Sequence, residues 1–342
     1  MRLLVLGGTS FVGPAVVQAA LDRGWDVTCL HRGLNGSPPQ GAISFIGDRT
    51  TPSTLAALAR QRFDVVVDAW SGAPYVARDA ARALAGSTGR WAYVSTRSVY
   101  TWPPANHADE SAAVVPADPD GELTDYAADK RGAELAYERE LGADRVVHVR
   151  AGLILGPREN IGRLPWWLRR VARGGEFLAP GPEDLPLQYV DARDLASFAL
   201  DVLQDSRSGP VNTVSLPGAA TMTEVLAACV DATGSNAVPT WVDAEWLLAA
   251  GVEPWTELPI WIPREDEAYA MHSGDTSRAV RWGLRTRPVA ETVADTWVWM
   301  GQDDVGAGPP PGRRPVGMLP EREAELLAAW HAGTAGPTGT AS

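Results

Sequence analysis

A short apolar run, Leu3-Leu4-Val5-Leu6, passes without interruption into Gly7-Gly8-Thr9-Ser10-Phe11-Val12-Gly13 and then into a helical stretch over 12–21. A glycine turn between a first strand and a first helix restricts the fold severely. It lets the backbone reverse tightly, and it leaves the first helical N–H groups and the positive end of the helix dipole facing an incoming anion. The same grammar repeats down the chain. Mostly apolar segments at 26–30, 43–46, 63–67, 91–94, 145–149 and 211–214 alternate with helical patterns at 51–60, 76–84, 125–141 and 191–203. Apolar strands separated by helices predict a parallel sheet covered on both faces. The expected fold class is therefore α/β, a Rossmann doubly wound parallel sheet.

After Gly156-Pro157 the texture changes. Residues 157–187 are rich in Pro, Gly, Trp and Arg, with a short helix expected at 166–173; 215–300 mixes helices at 223–232 and 289–299 with Trp-rich loops. The expected organisation is a Rossmann domain from 1–156 plus 188–214 and a smaller substrate-binding lobe from 157–187 plus 215–300. A peripheral, partly disordered tail, 301–342, carries one amphipathic helix at 320–331.

Charge narrows the partners. A net charge of −12 with a pI near 4.9 argues against nucleic acid and against anionic membranes, both of which need basic surface. Two cysteines, Cys29 and Cys229, give no disulfide framework. With no signal-like N-terminus and no run of apolar residues long enough to span a bilayer, a cytoplasmic protein is expected. Ten of the 14 Trp lie beyond residue 160, which fits aromatic packing of the lobe or an aromatic-lined substrate pocket.

The charge sum hides one asymmetry. Of the 30 basic residues, 29 are Arg and one is Lys, at position 130. Lys130 follows Tyr126 by four residues, so on a helix the two share a face. An ammonium near a phenol favours the phenolate and makes Tyr a usable acid–base group near neutrality. Thr96, at the end of an expected strand in Tyr93-Val94-Ser95-Thr96-Arg97-Ser98-Val99-Tyr100, is the candidate for holding a reacting oxygen. In the glycine loop, Ser10 stands where a dinucleotide fingerprint usually has its middle glycine. Arg32 follows the second strand where an acid would bind a ribose hydroxyl; an Arg there suits a 2′-phosphate, so NADP(H) is expected over NAD(H).

The ordered set Gly7–Gly13, Asp48, Ser95–Tyr100, Tyr126-x-x-x-Lys130, Arg150 through Gly156-Pro157, and Tyr189-Val190-Asp191 with Asp194 resembles the extended short-chain dehydrogenase/reductase family, also called the NAD-dependent epimerase/dehydratase family. The resemblance covers roughly 1–300. It implies a nicotinamide cofactor, the catalytic trio Thr96, Tyr126 and Lys130, and Asp48 near the adenine. The expected cofactor contacts are Gly7, Thr9, Ser10, Phe11, Val12, Gly13, Arg32, Asp48, Arg49, Ala69 and Lys130. Departures matter too. Arg97-Ser98 replaces the Asp-Glu pair of sugar-nucleotide dehydratases, and Leu153 and Leu155 replace polar residues of epimerases. The first argues against dehydratase chemistry, and the second points to a less polar substrate, walled by Trp70, Arg97, Trp102, Leu153, Arg163 and Trp166.

The expectation is an NADP(H)-dependent oxidoreductase interconverting a carbonyl and an alcohol on a small, apolar or ring-containing metabolite. It would need no metal, bind neither nucleic acid nor membrane, and be compatible with a homodimer. The alternatives are a sugar-nucleotide epimerase or reductase, and an idle cofactor-binding scaffold or RNA-associated protein.

Overall fold

The computed structural model describes residues 1–301 and 315–334. The Gly/Pro-rich stretch 306–312 lies outside these, as do 335–342, most of the last ten residues, where disorder is expected.

The alternation seen in the sequence becomes β1 (Arg2–Leu6), α1 (Val12–Asp22), β2 (Asp26–His31), β3 (Ile43–Ile46), α2 (Pro52–Leu58), β4 (Phe63–Asp68), α3 (Pro74–Leu84), β5 (Thr88–Thr96), α4 (Tyr126–Leu141) and β6 (Val146–Ala151). The helix Ala192–Gln204 and the strand Gly209–Thr213 complete the set. The seven strands run parallel in the order Gly209–Thr213, β6, β5, β4, β1, β2, β3. The protein is thus a Rossmann-like α/β fold.

Strand side chains alternate between faces, and each face has its own core. Leu3 and Val5 join α1 and Ala192–Gln204 on one side; Leu4 and Leu6 join α2, α3 and α4 on the other. Fully burying each Leu is worth about 1.5–3 kcal/mol, so a one-residue slip of β1 would forfeit contacts on both faces at once. β1 lies between β2 and β4, so the chain turns outward in both directions from it. A ligand crevice opens beyond the strand ends at such a switch point.

The chain divides into two compact units. The first is Met1–Ile154, Val190–Ser215 and Gly274–Thr286; the second is Leu155–Tyr189, Leu216–Ser273 and the described residues from Arg287 onward. This differs from the expected boundaries in two places. Gly274–Thr286 joins the first unit because long-range bonds hold it there. Asn212 Nδ2 donates to the Asp275 carbonyl at 2.9 Å, Arg278 donates to the Pro210 carbonyl at 2.7 Å, and Ala279 and Leu284 enter the core. The helix Pro320–His331, expected to be peripheral, is part of the second unit. Its Glu323 pairs with Arg170 at 2.5 Å and accepts from the Leu178 N–H at 3.2 Å, both inside the unit. Two strands the sequence does not announce, Glu176–Pro180 and Val238–Val242, pair in parallel beneath it. No helix among the described residues is long and apolar enough to cross a membrane.

Candidate active site

The glycine loop is a tight turn for reasons that single atoms make plain. A Cβ at Gly8 would fall 2.3 Å from the Cys29 sulfur, and one at Gly13 would fall 2.1 Å from the Gly7 carbonyl oxygen. Gly7 itself adopts a φ of +96°, which L side chains rarely tolerate. Neither Gly8 nor Gly13 has room for a side chain, so the turn packs closely on Cys29 and on its own backbone. Helix α1 then begins with no side-chain cap and no acid in its first turn. Its Gly13 N–H bonds the Ser10 carbonyl at 3.0 Å, and the other N–H groups of the first turn meet no side-chain cap, an arrangement that suits an anion such as a pyrophosphate.

The other cofactor-side residues sit on neighbouring strand ends. Gly7 N–H bonds to the Leu30 carbonyl and Ala69 N–H to the Leu6 carbonyl, both at 3.2 Å, which ties the ends of β1, β2 and β4 together. Past β2, His31 accepts from the Gly33 N–H at 3.1 Å and its other ring nitrogen bonds Ser44 at 2.7 Å. That pins the turn carrying exposed Arg32. Asp48 accepts from the Thr50 N–H and hydroxyl at 2.8 and 2.7 Å. These bonds, with Arg32 nearby, hold its carboxyl below the usual range. Arg49 turns inward instead, forming a two-pronged ion pair with Asp68 at 2.8 and 2.7 Å.

Lys130 is buried at the centre. It is only 3% exposed, and burial pushes its amine down to about 7. Its Nζ donates to the Trp70 carbonyl at 2.8 Å and to the Val94 carbonyl at 2.5 Å, and it rests 4.2 Å from the centre of the Tyr93 ring. Two of its three hydrogens are therefore committed to the ends of β4 and β5, leaving one for any further acceptor. Tyr126, about half exposed, starts α4 and lies close enough to act electrostatically on Tyr93. Thr96 caps the turn after β5. Its hydroxyl accepts from the Ser98 N–H at 3.1 Å and bonds the Ser98 hydroxyl at 3.2 Å.

Beneath this surface lies a buried polar network. Glu134, one turn beyond Lys130, accepts from Ser95 at 2.7 Å and takes both prongs of Arg150 at 3.0 and 2.8 Å. Burial would raise its carboxyl, but His148, Arg150 and the Ser95 hydroxyl hold it down to about 2. Arg150 in turn lies 5.0 Å over the Tyr100 ring, and the Tyr100 hydroxyl donates to Asn212 at 2.7 Å. These bonds lock the residues on either side of Thr96. The sequence does not single out Asp68, Tyr93 or Glu134; the only signal for Glu134 is its i+4 spacing from Lys130.

The expected substrate wall fares unevenly. The Trp70 indole is fastened 4.7 Å beneath the Arg49 guanidinium, with its N–H on the Ala73 carbonyl at 3.0 Å. Its contribution is a backbone carbonyl that holds Lys130. Arg97 is buried, its guanidinium lying where a Gly274 side chain would be, 2.1 Å from an added Cβ, and burial holds its pKa below the usual value. Trp102 is exposed and Leu153 buried. Arg163 and Trp166 belong to the second unit. There Arg163 lies 4.5 Å over the Trp255 ring, and Trp166 packs edge-on against Trp167 at 4.6 Å and against Gly317.

A parallel sheet with a glycine loop at its switch point, and a buried Lys held by carbonyls at the ends of β4 and β5, define a Rossmann-like α/β protein. Residues 3–215 match the NAD dependent epimerase/dehydratase family. The chain belongs to that family. It is 26% identical over 324 residues to dTDP-6-deoxy-L-talose 4-dehydrogenase (NAD(P)(+)) of Kitasatospora kifunensis, covering 86% of this chain and 94% of that one. Among solved structures, the Bordetella bronchiseptica enzyme WbmH in complex with NAD+ is similar at 17% identity with a TM-score of 0.67, covering 89% of this chain and 99% of that one. Thermus thermophilus UDP-glucose 4-epimerase in complex with NAD is similar at 22% identity with a TM-score of 0.61, covering 88% and 99%. At these identities the two structures speak to the fold alone.

Proposed function

We propose that the protein is an NADP(H)-dependent oxidoreductase that interconverts a carbonyl and an alcohol on a ring-containing metabolite. The observation that carries this reading is the buried Lys130 amine, held by the Trp70 and Val94 carbonyls and on the same helix face as Tyr126. Gly7–Gly13 and the start of α1 would hold the pyrophosphate, Asp48 and Ala69 the adenine side, and Arg32 the 2′-phosphate. The bound nicotinamide supplies or accepts the hydride. In the reducing direction, Tyr126 gives its proton to the substrate oxygen. Thr96 turns its hydroxyl from Ser98 to that oxygen. Lys130 supplies positive charge beside the phenol and has one hydrogen left for a ribose hydroxyl. Arg97 and Trp102 are the candidate substrate contacts of the first unit.

Removing the phenol with Tyr126→Phe should lower kcat by roughly 10²–10⁴ while NADPH binding is retained. Full residual turnover in stopped-flow absorbance would overturn the assignment. Arg32→Asp should shift the ratio of kcat/KM values from NADPH toward NADH; an unchanged ratio would remove the 2′-phosphate role from Arg32. That role has a competitor on the spot, because Asp48 shares the Arg32 charge.

A second reading, a dehydrogenase or epimerase of nucleotide-linked sugars, is favoured by the likeness to the dTDP-sugar dehydrogenase across 94% of its length. A substrate screen pairing dTDP-6-deoxyhexoses with unlinked ring ketones separates the two. Turnover confined to the nucleotide sugars would establish the second.

A further inference from the structure

We infer that the first unit carries a separate binding site for a medium-chain carboxylate in the groove between α2 and α3. The groove encloses about 610 Å³, within the range of small-molecule sites. Its apolar lining comes from Leu55 and Ala56 on α2, from Ala59 just after it, and from Val76 and Ala83 on α3. Such a lining suits an alkyl or aryl body.

The charges on the groove set the sign of the ligand. Four charged side chains line it, Arg49, Arg60, Asp79 and Arg82. Three are already answered: Arg49 by Asp68, Asp79 by Arg78, and Arg82 by Glu140. Arg60 makes no ion pair or hydrogen bond among the described residues, so one guanidinium is left uncompensated at the mouth of an apolar groove, on a chain of net charge −12.

The Arg60 guanidinium fork beside an apolar lining matches a planar carboxylate on an apolar tail. The lining is drawn chiefly from α2, α3 and the turn after α2, with Arg49 and Thr50 its members nearest the end of β3.

Calorimetric titration of the full-length protein with octanoate and with octan-1-ol tests the site. Saturable one-site binding of octanoate is expected, tighter than that of the alcohol. Arg60→Gln should weaken octanoate about fivefold or more and leave octan-1-ol unchanged, because only the charge-assisted contact is lost. Ala56→Trp, which fills the groove, should abolish both. Should that variant fold poorly, the exposed Arg60→Gln change still decides. The site is overturned if octanoate binding does not saturate, if neither variant alters it, or if saturating NADP+ or NAD+ displaces it.

Discussion

Lys130 is held in its buried place by two backbone carbonyls far away in sequence. The amine binds Trp70 and Val94, 60 and 36 residues distant. Being buried, it sheds its proton near pH 7, whereas an unfolded lysine keeps it to about 10.4. Between those values the unfolded chain binds more protons, so this residue makes folding stability rise with pH across that window. Below pH 7 its burial penalty is present in full. Because it is the sole lysine, ¹⁵N-lysine labelling gives one Nζ resonance. Its titration midpoint should fall near 7, and a midpoint near 10 would mean the amine is solvated. Lys130→Met should flatten the stability rise above pH 7 in urea unfolding. The near-exclusive use of Arg elsewhere made this residue legible from the sequence. Its depressed pKa was not, because desolvation comes from side chains and strand ends that only the folded chain gathers.

At the scale of the element, the start of α4 is held from two sides. Asp125 caps it, accepting from the Ala127 and Ala128 N–H groups at 3.0 and 3.1 Å. Buried Asp129 reaches back to the Thr124 N–H and hydroxyl at 3.0 and 2.9 Å. Tyr126 stands between these anchors, so its direction is set by bonds on both sides. Asp125→Ala should cost about 1 kcal/mol of stability. It should also reduce kcat more than it raises KM, since a frayed first turn misdirects the phenol without emptying the crevice. An unchanged kcat with the same loss of Tm would show that the cap serves folding alone. The helix and its register were readable, and 320–331 agrees with the observed helix to the residue. Glycines 8 and 13 were readable as a turn, but the reason they cannot be anything else lies in Cys29 and in the carbonyl of Gly7.

Across the whole molecule, long-range contacts decide which segments belong together. The second unit closes its C-terminal helix with Arg170 and Glu323, 153 residues apart and both nearly buried. Glu323→Gln strips the partner from a buried guanidinium and should cost roughly 3–5 kcal/mol, read as a lower urea midpoint or Tm. An unchanged midpoint would mean water already reaches that pair. The amino-acid sequence by itself determined the α/β class, the glycine turn after β1, and the spacing that sets Tyr126 and Lys130 on one helix face. Those follow from periodicity, glycine geometry and i,i+4 spacing, all of which act within a few residues. Tertiary structure alone decided the burial of Lys130, the pairing of Arg49 with Asp68 over the Trp70 ring, and the recruitment of Gly274–Thr286 into the first unit. Each of these depends on burial and partner choice, which are set by residues brought together from distant parts of the chain.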